Sequence, residues 1–142
     1  MTNKLHLRWI DVMDFATTII NQIKNDYPNN DKPIRVIGVT NGGVIPATLI
    51  AKGLNAKLLE TVRANGQLYI DDNKLNILVD DIADSGKTIG QLMATLSDFD
   101  RERTITATLC KRHNSKYDPN YKVFVIRNDT WIVFPWENGV EK

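Results

Sequence analysis

The sequence predicts an α/β fold, a central and mostly parallel sheet with helices on both faces. Three observations predict it. Short apolar and β-branched runs at residues 34–39, 75–79 and 104–110 read as buried strands. Segments with the three-to-four-residue apolar spacing of helices, at about residues 10–25, 44–52 and 89–96, alternate with them. Glycine-rich or acidic turns follow the strands at residues 40–43 and 80–86, and ligands in such folds bind beyond the carboxyl ends of strands.

In chain order, Val12, Phe15, Ala16, Ile19, Ile20 and Ile23 form the apolar face of the first helix, which the turn residues around Pro28 break. The strand at 34–39 runs into Thr40-Asn41-Gly42-Gly43, and a helix follows from Val44 to Lys52, with Pro46 acceptable only in its first turn. Residues 58–62 and 68–70 flank Ala64-Asn65-Gly66, and Asn-Gly between two such runs predicts a hairpin. Leu75 and residues 77–79 form the next strand, and Ile89, Leu92, Met93 and Leu96 the next helical face. Residues 104–110 are a strand, 111–120 a polar loop and 123–126 a last strand, and an aromatic segment at 131–136 closes the chain. There is no internal repeat, low-complexity tract or linker.

The chain of 142 residues fits one domain, 1–142, with a real core. A formal charge of +1 argues against nucleic acid as a partner. The first ten residues carry no sustained apolar stretch, so no signal peptide is expected. No apolar run approaches the roughly 18–20 residues that membrane insertion requires. The lone Cys110 lies in a strand pattern and reads as a buried small residue, not a nucleophile. The expected localisation is cytoplasmic.

The chemistry concentrates in Ile77-Leu-Val-Asp-Asp-Ile-Ala-Asp-Ser-Gly-Lys-Thr-Ile89. Asp80 and Asp81 stand at the end of a strand, where paired carboxylates suit ribose hydroxyls or a magnesium ion. Asp84, Ser85, Gly86, Lys87 and Thr88 then lead into a helix, and free backbone N–H groups with hydroxyls at a helix start make a phosphate seat. Gly86-Lys87-Thr88 also looks like the end of a Walker A loop. That reading fails, because the required glycine five residues earlier is Asp81. An ordinary capped turn, with Asp84 or Ser85 as N-cap, explains the loop but not the acidic pair behind it.

This segment resembles the phosphoribosyl-diphosphate (PRPP) signature of type I phosphoribosyltransferases: two acidic residues, two apolar ones, then Asp-[Ser/Thr]-Gly-x-Thr. Gly38, Gly42, Gly43, Pro46 and Ala47 resemble the family's diphosphate loop, Gly-x-x-[Arg/Lys]-Gly-Gly-x-x-Pro-Ala, with Asn41 where the family usually carries a cation. Lys111 resembles the lysine that holds O6 in the 6-oxopurine enzymes, and Asp129-Thr-Trp-Ile…Pro-Trp-Glu137 resembles the C-terminal segment of bacterial xanthine–guanine and small archaeal enzymes. The likeness runs from about residue 9 to residue 138. It implies a type I phosphoribosyltransferase fold with a small C-terminal hood. It also implies Mg2+-dependent transfer of 5-phosphoribosyl from PRPP to N9 of xanthine, guanine or hypoxanthine, a purine-salvage reaction.

The roles it implies are these. Asp84 is the general base, residues 84–88 hold the 5′-phosphate, and Asp80 and Asp81 bind ribose and the metal. Asn41, Gly42 and Gly43 hold the diphosphate. Lys111, Trp131 (by stacking) and Ile132 (through its backbone) hold the purine, whereas Phe134 and Trp136 seal the core. By the same resemblance the assembly is a homodimer or homotetramer. One region departs: the family's mobile lid loop is replaced by a short hairpin at 63–74, where Arg63 and Lys74 are the candidate substitutes. Two alternatives stay open at this point, a non-catalytic PRPP sensor on the same fold and a transferase for another base.

Overall fold

A computed structural model describes residues 3–137. Its first strand, β1 (Asn3–His6), leads into α1 (Trp9–Asp26). Asp11 caps that helix start, its Oδ2 accepting from the Arg8 backbone N–H at 2.8 Å while the Arg8 guanidinium donates to the same carboxylate. Val12, Ala16, Ile19 and Ile23 are its buried stripe, and the chain leaves the helix at Tyr27, just before Pro28. After β2 (Ile34–Thr40), α2 (Val44–Gly53) carries Pro46 in its first turn, where an N–H has no intrahelical acceptor to lose. There follow β3 (Leu58–Arg63), β4 (Leu75–Ala83), α3 (Lys87–Ala94), α4 (Asp98–Glu102), β5 (Thr104–Arg112), β6 (Phe124–Ile126) and β7 (Thr130–Val133). A 3-10 turn at Pro135–Glu137 ends the described chain.

Five strands form one sheet in the order β3-β2-β4-β5-β6, every pair parallel. One apolar cluster joins α1 and α2 to the sheet through Ile19, Ile50, Ile77 and Leu109, and a second joins α3 to it through Leu78, Ile89 and Leu92. Helices therefore cover both faces, as the alternating pattern predicts. From β2 the chain builds outward to β3, then returns to place β4 on the other side of β2. This reversal opens a crevice between the carboxyl ends of β2 and β4. A separate parallel pair, β1 with β7, forms the hood. No helix among the described residues is long and apolar enough to cross a membrane.

Two expectations are corrected, and two elements form where the sequence analysis assigned none. The Asn65-Gly66 turn exists, closed by Gly66 N–H to the Arg63 carbonyl (2.9 Å), but no hairpin follows it. Residues 68–70 are not a strand; Leu68 is buried against α3, its N–H held by Thr95 Oγ1 at 3.1 Å. Burying that side chain and pairing β3 with β2 outcompete local hairpin closure, so the 63–74 segment is an irregular connection between parallel strands. Secondly, β5 runs two residues further than Cys110, so Lys111 and Arg112 stand on the strand rather than in the loop. Thirdly, β1 is a strand although its short run is exposed throughout, because its partner β7 supplies the hydrogen bonds. Lastly, residues 98–102 form the short helix α4, with Ser97 Oγ accepting from the Asp100 N–H at 3.1 Å.

Candidate active site

The crevice at the strand ends brings together segments that are far apart in sequence. Asp80 and Asp81 occupy the last part of β4, and the 40–43 turn leaves β2 beside them. The closeness is direct: a Cβ on Gly42 would overlap the Asp81 carboxylate. Only glycine lets the turn lie on that side chain. Asn41 is exposed at the same turn, and Gly43 is buried, its N–H donating to the Val39 carbonyl at 2.8 Å.

The two aspartates are bonded locally. Asp80 Oδ1 accepts from the Asp81 N–H (2.8 Å), and Asp81 Oδ1 accepts from the Ile82 N–H (2.7 Å). Neither has an ion-pair partner among the described residues. Burial, reinforced by the charge of Asp81, pushes the Asp80 carboxyl up to about 8. Asp81 is raised as well, first by burial and further by the charge of Glu137. Adjacent carboxylates without a paired cation, Asp80 buried and Asp81 half-buried, constitute a donor set for a hard divalent ion. The described residues hold no cluster of three or more His, Cys, Asp or Glu that could bind a metal alone. Magnesium fits this arrangement, because it is commonly held by one or two carboxylates with ligand oxygens and water completing its shell.

Residues 84–88 form the mouth of α3 and, with Asp80 and Asp81, line a cleft of about 200 Å3. Gly86 is the N-cap, with φ +86° and no side-chain cap bond. Its Cβ would meet the Tyr117 N–H and, at 2.8 Å, Ser115 Oγ, so glycine is required both by dihedral and by space. Ser85 Oγ accepts from the Lys87 N–H at 3.2 Å, and the Ser85 carbonyl accepts from Lys116 N–H at 2.9 Å. The first helical bond runs from Gly90 N–H to the Gly86 carbonyl (3.0 Å), which leaves the N–H groups of Thr88 and Ile89 without helical acceptors. Asp84 does not cap the helix. Its Oδ1 instead accepts from Arg112 Nε at 2.5 Å.

Lys111 lies opposite Ala83 in the β4–β5 register, one position before Asp84. Trp131 is half exposed on β7, and Ile132 is buried. The carbonyls of Asp129 and Val133 bond the N–H groups of Asn3 and Leu7 (2.9 Å each). Carbonyl direction alternates along a strand, so the Ile132 carbonyl points away from β1. Phe134 is buried and stacks on Trp136 (centroids 4.7 Å apart, planes at 6°), the core-sealing role expected for both. Cys110 is buried, and burial pushes its thiol up to about 12, so it carries little thiolate at neutral pH.

The two residues suggested as substitutes for the missing lid separate. Arg63 is exposed and pairs in register with Thr40, beside the diphosphate-type turn. Lys74 precedes β4, at the opposite end of the sheet, and binds Asp71 at 2.7 Å, so it is excluded. A cavity of about 580 Å3 also lies at that opposite end, where Lys74 and Arg103 pair with Asp71, Asp72 and Asp100 and Lys32 Nζ donates to the Asp72 carbonyl at 3.3 Å. Sequence reasoning missed Arg112, which sits in a basic triplet with no motif of its own, and the approach of Glu137 to Asp81.

The phosphoribosyl transferase domain family model matches residues 61–142. This chain belongs to the phosphoribosyltransferase family. A xanthine-guanine phosphoribosyltransferase of Chromohalobacter salexigens is 31% identical over 117 residues, 74% of this chain and 69% of that protein. A xanthine-guanine phosphoribosyltransferase of Cereibacter sphaeroides is 23% identical over 152 residues, 96% of this chain and 88% of that one. The crystal structure of a purine phosphoribosyltransferase from Pyrococcus horikoshii superposes with a TM-score of 0.78 at 27% identity, covering 98% of this chain and 99% of that one. The parallel sheet with a hood is therefore the type I phosphoribosyltransferase fold.

Proposed function

We propose that this phosphoribosyltransferase, acting as one domain over residues 1–142, moves the 5-phosphoribosyl group of PRPP to N9 of xanthine, guanine or hypoxanthine. The products are a nucleoside 5′-monophosphate and diphosphate. The observation that carries this reading is the meeting of Gly42, the Asp80–Asp81 pair and the 84–88 loop in one crevice. The relatives' activities on xanthine and guanine support the choice of base.

In this reading the N–H groups at the start of α3, with the Ser85 and Thr88 hydroxyls and Lys87, grip the 5′-phosphate. Asp80 and Asp81 orient the ribose hydroxyls and hold magnesium. The ion, when bound, neutralises charge on the departing diphosphate. Asn41, Gly42 and Gly43 receive that diphosphate through backbone N–H groups, and Arg63 supplies the nearby positive charge that Asn41 lacks. The anomeric C–O bond breaks as the C–N9 bond forms, and Asp84 takes the proton from purine N7. Lys111 donates to O6, which favours a 6-oxo base over adenine, whose 6-amino group is itself a donor. Trp131 stacks on the ring, and the outward Ile132 carbonyl accepts from its edge.

The test is product formation with PRPP, magnesium and, separately, guanine, xanthine, hypoxanthine and adenine. Turnover is expected with at least one 6-oxopurine and not with adenine, and Asp84→Ala should lower it by roughly 10²–10⁴. Saturable PRPP binding without turnover of any base would instead assign a sensor.

A further inference from the structure

We propose that Arg112 is a positioning residue that couples the purine-binding hood to the general base, an inference that rests on the reading of Asp84 given above. Arg112 is the last residue of β5, and its side chain is only 12% exposed. Its Nε donates to Asp84 Oδ1 at 2.5 Å. Its Nη1 donates to the carbonyls of Thr130 (2.8 Å) and Arg127 (2.9 Å), with a longer contact to that of Asn128 (3.4 Å). Those carbonyls belong to the turn that delivers β7 and to Thr130, the first residue of that strand, which carries Trp131 and Ile132. One planar group thus touches the carboxylate that receives the proton and the entry to the strand that stacks the base.

The chemistry of guanidinium makes this a coupling and not two separate contacts. Its donors sit in a rigid fork, so displacing one end displaces the other. With Oδ1 held by Nε, Oδ2 is the Asp84 oxygen left to face the purine proton. Seating the base against the hood therefore sets the carboxylate that deprotonates it. Adjacent strand residues project to opposite faces, so Arg112 does this without competing with Lys111 for the base. Lysine at this position would keep the charge but not the planar fork, so its single nitrogen on a flexible stem would not hold Asp84 and the hood turn in one rigid geometry.

A double-mutant cycle between Arg112→Lys and Asp84→Ala tests the coupling, with kcat, purine KM, PRPP affinity by titration without base, and melting temperature as readouts. Arg112→Lys is expected to lower kcat by roughly 10- to 100-fold, the scale of a misplaced reacting group. It should raise purine KM and leave PRPP affinity within about twofold. In the Asp84→Ala background it should lower kcat no further. Multiplicative losses in the double variant, or wild-type kcat in Arg112→Lys, would overturn the inference. Near-wild-type kcat in the single Asp84→Ala variant is a different pattern: it removes the general-base reading itself and confines Arg112 to holding the hood. If Arg112→Lys melts below the assay temperature, Arg112→Gln assayed in the cold provides the same kcat and KM comparison.

Discussion

Asp80 and Asp81 show how a single position carries opposed demands. Folding draws the Asp80 carboxylate out of water next to a second carboxylate, and the proton is held up to about 8 against an ordinary value of 3.8. A carboxyl raised in the folded state takes up more protons there than in the unfolded chain. The metal-free protein is therefore most stable, as far as this group is concerned, below about pH 4, and it loses that stability as pH rises through about 8. Asp80→Asn removes the titration. In chelator, its melting temperature should change less between pH 5 and pH 8 than that of the wild type, and at pH 8 it should exceed the wild type by roughly 5 °C. The same variant should lose turnover, since an amide cannot replace the charge that magnesium requires. A wild-type-like loss of stability with pH in Asp80→Asn would show that Asp80 is not the group responsible. The aspartate is retained at a cost in stability, as binding sites commonly are.

Among the elements, the turn into α3 is the one whose sequence and geometry agree most closely. The Asp-Ser-Gly-Lys-Thr string reads in the sequence as a phosphate-type turn, and Gly86 at φ +86° is the residue that bends it. What the string does not disclose is its backing: Tyr117 and Ser115 close over Gly86 from a loop some thirty residues later. Gly86→Ala should lower stability by about 1–2 kcal/mol from the left-handed backbone alone. It should also weaken PRPP binding more than tenfold by pushing the 115–117 segment away from the Ser85 carbonyl. Calorimetry with PRPP and a thermal melt check both effects, and unchanged PRPP affinity would place the phosphate elsewhere. The element misread from sequence is the 63–74 connection. Asn-Gly is a strong local hairpin cue, but the run that should return, residues 68–70, contributes a buried Leu68 to the α3 face instead. Tertiary burial overrode turn chemistry there.

At the scale of the molecule, the proposed function depends on two junctions. One is the switch point between β2 and β4, which places the 40–43 turn against Asp81. The other is the hood, where an N-terminal strand clamps β7 through parallel pairing. Leu5 is partly exposed, so replacing it disturbs little packing. In the β1–β7 ladder its N–H lies between those of Asn3 and Leu7, on the β7 side. Leu5→Pro removes that donor. Loss of about 0.5–1.5 kcal/mol from the hood should raise purine KM about three- to tenfold while PRPP affinity holds. Equal damage to both ligands would mean that the hood does not act on the base alone.

The sequence by itself determined the alternation of strands and helices, the buried stripes of α1 and α3, and the acidic pair with its phosphate-type turn. These are local patterns of period and spacing, and local physics suffices to read them. Only the tertiary structure decided that Gly42 rests on Asp81, that Arg63 and not Lys74 stands by the 40–43 turn, and that Arg112 joins Asp84 to the hood. It also decided that β1 exists at all, since four exposed residues have no strand signal until β7 offers them partners. These facts depend on which strands become neighbours. That choice is made by burial of the whole sheet between two helical layers, and no short window of the chain contains it.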